Sequence, residues 1–211
     1  MPLDGIQEYC RERLDRKSAG REAALSGSRT TIRFCANAIR ALHREEWDEA
    51  QRLTKEAEST LRAAEAALEP FPEIFYAGFL MDAQKEYVEA RATYAIVRGE
   101  SVPTPQDLAV GEAPYLNGLG ETVGELRRFI LDELRHGQLE RCEELLDAMD
   151  DIYYVLISMD YPDAITGGLR RTTDVARGLI ERTRGEFSIA LVQENLEAAL
   201  KEHTKKVEAA D

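Results

Sequence analysis

The stretch Ile74-Phe-Tyr-Ala-Gly-Phe-Leu-Met-Asp82-Ala-Gln-Lys-Glu86-Tyr-Val-Glu89-Ala-Arg-Ala-Thr-Tyr-Ala-Ile-Val97 decides how this chain folds. Its apolar residues Ile74, Phe75, Phe79, Leu80, Met81, Val88, Ile96 and Val97 fall on every side of a 3.6-residue period. A helix that is apolar all round needs neighbours all round, so it is expected at the centre of the molecule. Pro70 and Pro72 set its start near Glu73, and Gly99 ends it after Arg98.

The pattern stays helical on both sides. Upstream, a helix is expected from Gly5 to His43, with Ile32, Cys35, Ala36, Ile39 and Leu42 on one face and a weak point at Ser26-Gly27-Ser28. The next runs from Glu46 to Leu68 on the stripe Ala50, Leu53, Ala57, Leu61, Ala64 and Leu68. Downstream, Ser101 to Pro114 carries Pro103, Pro105 and Gly111 and reads as a loop holding one short helical turn. Helices then follow over Tyr115 to His136 and Leu139 to Ser158. After a junction at Pro162 and Gly167-Gly168, the last covers Leu169 to Glu208, with a break or bend expected near Gly178 or Gly185. No segment reads as a strand. Six or seven long antiparallel helices on short links make an all-α bundle, expected as a single domain over residues 1–211.

Bulk properties narrow the function. A net charge of −13 argues against a general nucleic-acid coat, since such binding begins with Lys and Arg neutralising phosphates, but it leaves room for a local basic surface. The longest apolar run, Ile152 to Met159, is far too short to cross a bilayer, so no membrane association is expected. No signal-peptide pattern is present, and Cys10, Cys35 and Cys142 are odd in number and widely spaced, which suits reduced thiols in a cytoplasmic protein. There is no Gly-rich phosphate loop and no Gly-x-Ser-x-Gly elbow. A di-iron bundle would need two Glu-x-x-His pairs; only Glu133-Leu-Arg-His136 fits, at a helix end where the dipole already favours a histidine.

The carboxylates are more informative. Asp82, Glu86 and Glu89 lie three or four residues apart, on one face of the central helix, and Glu86 shares its column with Phe75, Phe79, Ala90 and Val97. Like charges at this spacing repel by roughly 0.2–0.5 kcal/mol per pair in water. Poor solvation raises that cost unless a cation or proton offsets it. Either a divalent metal or a general-base role accounts for them, or Lys85, Arg91 or a basic residue on a neighbouring helix pairs with them structurally. A second pair, Glu121 and Glu125, lies in Gly118-Leu-Gly-Glu121-Thr-Val-Gly124-Glu125, opposite the stripe Leu119, Val123, Leu126 and Ile130. Taken alone these two read as solvent-facing. Facing Glu86 and Glu89 across a crevice, they complete an oxygen-rich site suited to Mg²⁺ or Mn²⁺. Gly118, Gly120 and Gly124 weaken their helix, as is accepted where another backbone or a ligand comes close.

These residues resemble the translin family, and within it the catalytic translin-associated factor X subunit. Gln84-Lys-Glu86-Tyr-Val-Glu89-Ala90 resembles that subunit's Q-E-x-x-E-A stretch, with Lys85 intervening. Tyr115-Leu-Asn-Gly-Leu-Gly-Glu121-Thr-Val-Gly-Glu125-Leu-Arg127-Arg128 resembles its Y-L-x-G-x-x-D-x-x-G-E-L-x-R segment, and Gly168-Leu-Arg-Arg resembles the family's late helix. The similarity runs from about Ser28 to Leu200. It implies a seven-helix protomer that assembles into a hollow octamer, holds single-stranded RNA or DNA inside and cleaves RNA with Mg²⁺. By the same resemblance Glu86, Glu89 and Glu121 (Asp in the relative) match the metal-binding catalytic carboxylates, with Glu125 beside them as ligand or water-orienting base. Lys85, Arg128, Arg29 and Arg33 are the expected phosphate contacts. The expectation is therefore a Mg²⁺-dependent (or Mn²⁺-dependent) endoribonuclease on single-stranded RNA, working as a homo-oligomer. The alternatives are a non-catalytic nucleic-acid scaffold of the same fold and a structural bundle with paired acids.

Overall fold

The computed structural model describes residues 3–76 and 78–208, and among these there are helices and no strands. Six long helices carry the architecture: α1 (Asp4–Leu42), α2 (Trp47–Leu68), α4 (Gly78–Arg98), α6 (Glu112–Arg135), α7 (Leu139–Ile157) and α9 (Leu169–Glu208). Single turns α3 (Pro72–Phe75), α5 (Pro105–Leu108) and α8 (Asp163–Thr166) punctuate the links. The turn expected in the 101–114 loop is α5, fixed by a capping box in which Thr104 and Asp107 satisfy each other's backbone N–H groups.

Two apolar clusters hold the bundle. One joins α1, α2 and α4 through Ala24, Cys35, Leu61, Leu68, Leu80, Tyr87 and Val88. The other joins α6, α7 and α9 to the end of α1 through Leu42, Leu126, Ile130, Met149, Leu156 and Ile180. Each fully buried Leu or Ile contributes roughly 1.5–3 kcal/mol relative to exposure. The α4 helix packs against α1, α2, α6 and α7, the central position its all-round apolarity predicts.

Three boundaries differ from the sequence expectation. The weak point at Ser26-Gly27-Ser28 is unbroken helix, because small residues there serve packing. A Cβ on Gly27 would lie 2.9 Å from that of Ala64, Ser28 and Thr31 are buried, and the Thr31 and Thr60 hydroxyls share a 2.9 Å hydrogen bond. The α9 helix also runs through Gly178 and Gly185 without a break. Conversely, the helix expected from Glu73 to Arg98 is split. Tyr76 caps α3 with ψ of 18°, and Ile74 and Phe75 pack against the first cluster.

Candidate metal centre

The position of the carboxylates follows from one close approach between helices. Gly118 on α6 sits against α4 so tightly that a Cβ there would meet the Lys85 carbonyl oxygen at 2.6 Å and the Val88 Cβ at 2.7 Å. On its other side α6 meets α9, where a Cβ on Gly120 would lie 2.2 Å from the Thr172 methyl. Glu121 is one turn past the first contact, so it comes to lie beside Glu86 and Glu89. One carboxylate oxygen from each of Glu86, Glu89 and Glu121 lies within 4.8 Å of the others, and all three residues are partly buried.

This grouping is electrostatically unfavourable without a counter-charge. Burial, then the charges of Glu86, Glu121 and Glu125, push the Glu89 carboxyl up to about 8. Glu86 is raised for the same reasons, burial first and Glu121 next. Two half-buried acids that resist ionisation, with a third carboxylate beside them, are the donor chemistry that a hard divalent cation satisfies. The residues present therefore fit Mg²⁺ or Mn²⁺, with Glu86, Glu89 and Glu121 as the groups that would hold it.

The remaining predicted residues separate into distinct roles. Lys85 donates to Glu121 Oε1 at 2.7 Å; burial opposes its charge, but Glu121, with Glu86 and Asp82, outweighs burial and holds the ammonium above its usual pKa. Glu125 lies outside the three-oxygen group. His43 Nε2 and Arg128 Nη1 both donate to its Oε2, at 2.6 and 2.9 Å. Burial pushes Glu125 up, yet those two partners prevail and hold it below the ordinary carboxylate range. The Glu125 charge nonetheless acts on both Glu86 and Glu89. Asp82 is exposed and outside the group, as are Arg29 and Arg33, which make no ion pair among the described residues. His136 is the exposed C-cap of α6, in keeping with the dipole reading.

Sequence reasoning missed two residues. His43 closes α1 and reaches Glu125 across 82 positions of chain, so no local pattern could expose it. Cys35, two turns earlier on the same face of α1, is fully buried; burial and then the charges of Glu86 and Glu89 push its thiol far up. A groove of about 960 Å³ lies elsewhere, between Phe75, Tyr76, Tyr115 and Tyr161, and includes none of the four glutamates.

Fold and site together define an all-α bundle carrying a three-carboxylate centre suited to a divalent cation. No protein-family profile matches the sequence. The chain is 34% identical over 197 residues to an uncharacterized protein of Methanocaldococcus jannaschii, covering 92% of this chain and 85% of that one. It is similar to the solved structure of AfC3PO, both alone and in complex with duplex RNA, at 36% identity and a TM-score of 0.83. Those matches cover 89% of this chain and 97–98% of theirs. It shares its fold with apo-NeC3PO at 21% identity and a TM-score of 0.79, over 90% of this chain and 99% of that one. The chain belongs to the translin family.

Proposed function

We propose that the protein is a Mg²⁺-dependent endoribonuclease that cleaves single-stranded RNA, with Mn²⁺ able to replace Mg²⁺. The observation that carries this reading is the convergence of Glu86, Glu89 and Glu121, from two helices, onto a volume one cation could fill. The AfC3PO relative, solved with duplex RNA, supports RNA as the ligand. A bound divalent ion would acidify a water and brace the phosphate under attack. Glu86, Glu89 and Glu121 would hold that ion. Glu125, kept ionised by His43 and Arg128, accepts a hydrogen bond from the attacking water and orients it. Lys85 exchanges its Glu121 partner for a phosphate oxygen when cation and RNA are both in place, and Arg29 and Arg33 supply further positive charge along the strand. Exposed Tyr154 and Ile157 on α7, Tyr161 in the following link and Ile165 on α8 support self-association, which the family resemblance expects to reach an octamer enclosing the RNA.

The test is cleavage of a labelled single-stranded RNA with Mg²⁺ or with EDTA, by wild type and Glu86→Gln. Cleavage that needs both the metal and Glu86 is the expected result. Tight RNA binding without cleavage would replace this reading with the non-catalytic scaffold.

A further inference from the structure

The Glu125 side chain is held in a way that none of the other three carboxylates shares. His43, at the end of α1, places Nε2 2.6 Å from Glu125 Oε2, and its side chain is 9% exposed against 18% for Glu125. The imidazole stacks on Phe129, one turn beyond Glu125 on α6, with centroids 4.1 Å apart and planes 19° from parallel. Its rotation is thereby restricted. The other ring nitrogen, Nδ1, is buried and has no hydrogen-bond partner among the described residues. Glu125 is ionised and can only accept, so the proton between the two groups sits on Nε2 and points at the carboxylate.

The pair acts on the centre through Glu125, whose charge reaches Glu86 and Glu89. Glu125 lies one turn after Glu121 on the same helix, α6, and is bound on its other flank by His43 from the end of α1. Arg128 touches the same Oε2 from the exposed side, which leaves Oε1 without a protein partner among the described residues. A carboxylate with one oxygen fixed and the other left bare is arranged to accept one hydrogen bond in a set direction.

We propose that His43 is a positioning residue. It fixes Glu125 in the orientation in which Oε1 accepts a hydrogen bond from the attacking water, and it takes no part in holding the cation. This rests on the nuclease reading above and adds to it a residue outside the metal-binding set. Groups that orient the partners of a metal site commonly contribute about 10–100-fold.

Two substitutions separate orientation from packing. His43→Phe keeps the stack on Phe129 and removes the donor; His43→Gln loses the stack and keeps a donor at similar reach. Each is measured for kcat and KM on single-stranded RNA and for Mn²⁺ affinity by calorimetry, beside Glu125→Gln and the double variant His43→Phe/Glu125→Gln. The expected result is a fall in kcat of about 10–100-fold for His43→Phe, with KM and Mn²⁺ affinity within about twofold of wild type. His43→Gln should recover most of the loss, and the double variant should be no slower than Glu125→Gln alone, since both changes remove one interaction. Full activity in His43→Phe, Mn²⁺ binding lost as in Glu86→Gln, or multiplicative losses in the double variant would each overturn the positioning role while leaving the nuclease reading intact. A wild type that binds Mn²⁺ and cuts no RNA would overturn both together.

Discussion

Replacing Gly118 with Ala tests whether the close approach of α4 and α6 builds the centre. In an unobstructed helix this change stabilises by roughly 1 kcal/mol, because Ala loses less backbone freedom on folding. Here the new methyl would meet a backbone carbonyl at 2.6 Å and Val88 at 2.7 Å, and neither can swing aside as a flexible side-chain end would. Restoring an ordinary contact of 3.4 Å requires the two helices to part by about 0.8 Å. Overpacking of this kind costs about 1–3 kcal/mol, so the net expectation is a loss of about 1 kcal/mol in urea unfolding. The effect on the centre is larger, because Glu121 moves with α6 while Glu86 and Glu89 stay with α4. Metal sites tolerate ligand displacements of only about 0.2 Å, so Mg²⁺ affinity should fall by about tenfold or more. Gly178→Ala is the control: it has no atom within 4 Å of its would-be Cβ and should stabilise by roughly 0.5–1 kcal/mol with Mg²⁺ binding unchanged. A Gly118→Ala protein more stable than wild type, with wild-type Mg²⁺ affinity, would refute the reasoning.

Two further outcomes complete those already given for Glu86 and His43. Glu89 and Glu86 hold their protons more tightly folded than unfolded, so in EDTA both favour the native state below pH 4.5. For Glu89 that contribution is lost as pH rises toward about 8, so urea midpoints should decline across this window, and excess Mg²⁺ should reduce or reverse the decline. A flat profile in EDTA would contradict the raised carboxyls. Lys85 competes with a cation for Glu121, so Lys85→Gln should bind Mg²⁺ severalfold more tightly by calorimetry while binding RNA more weakly; weaker Mg²⁺ binding would show that the Lys85–Glu121 pair supports the centre.

The sequence made the helices legible because their stripes are long and regular, as in Ala50 to Leu68 and Leu119 to Ile130. It misjudged glycine at Gly27, Gly178 and Gly185. A glycine's local effect is the same whether it breaks a helix or admits a neighbour, and only Ala64, far along the chain, shows which applies to Gly27. The spacing of Glu86 and Glu89 placed both on one face of one helix, and Gly118 hinted at what draws Glu121 toward them. The split at Tyr76 had no comparable sign, since Phe75 and Phe79 are as well spaced for one helix as for two. Nor did the local spacing divide the four glutamates: Arg128 is within reach of Glu125 on α6, but His43, which also binds Glu125, comes from the far end of α1.

The two apolar clusters have a mechanical consequence. Glu86 and Glu89 ride on α4, most of whose buried side chains belong to one cluster, while Glu121 rides on α6, which belongs to the other. A cation held by all three would tie α4 to α6 across the boundary between the two clusters. Affinity for such an ion would then report on the alignment of those two helices, quite apart from the stability of either cluster.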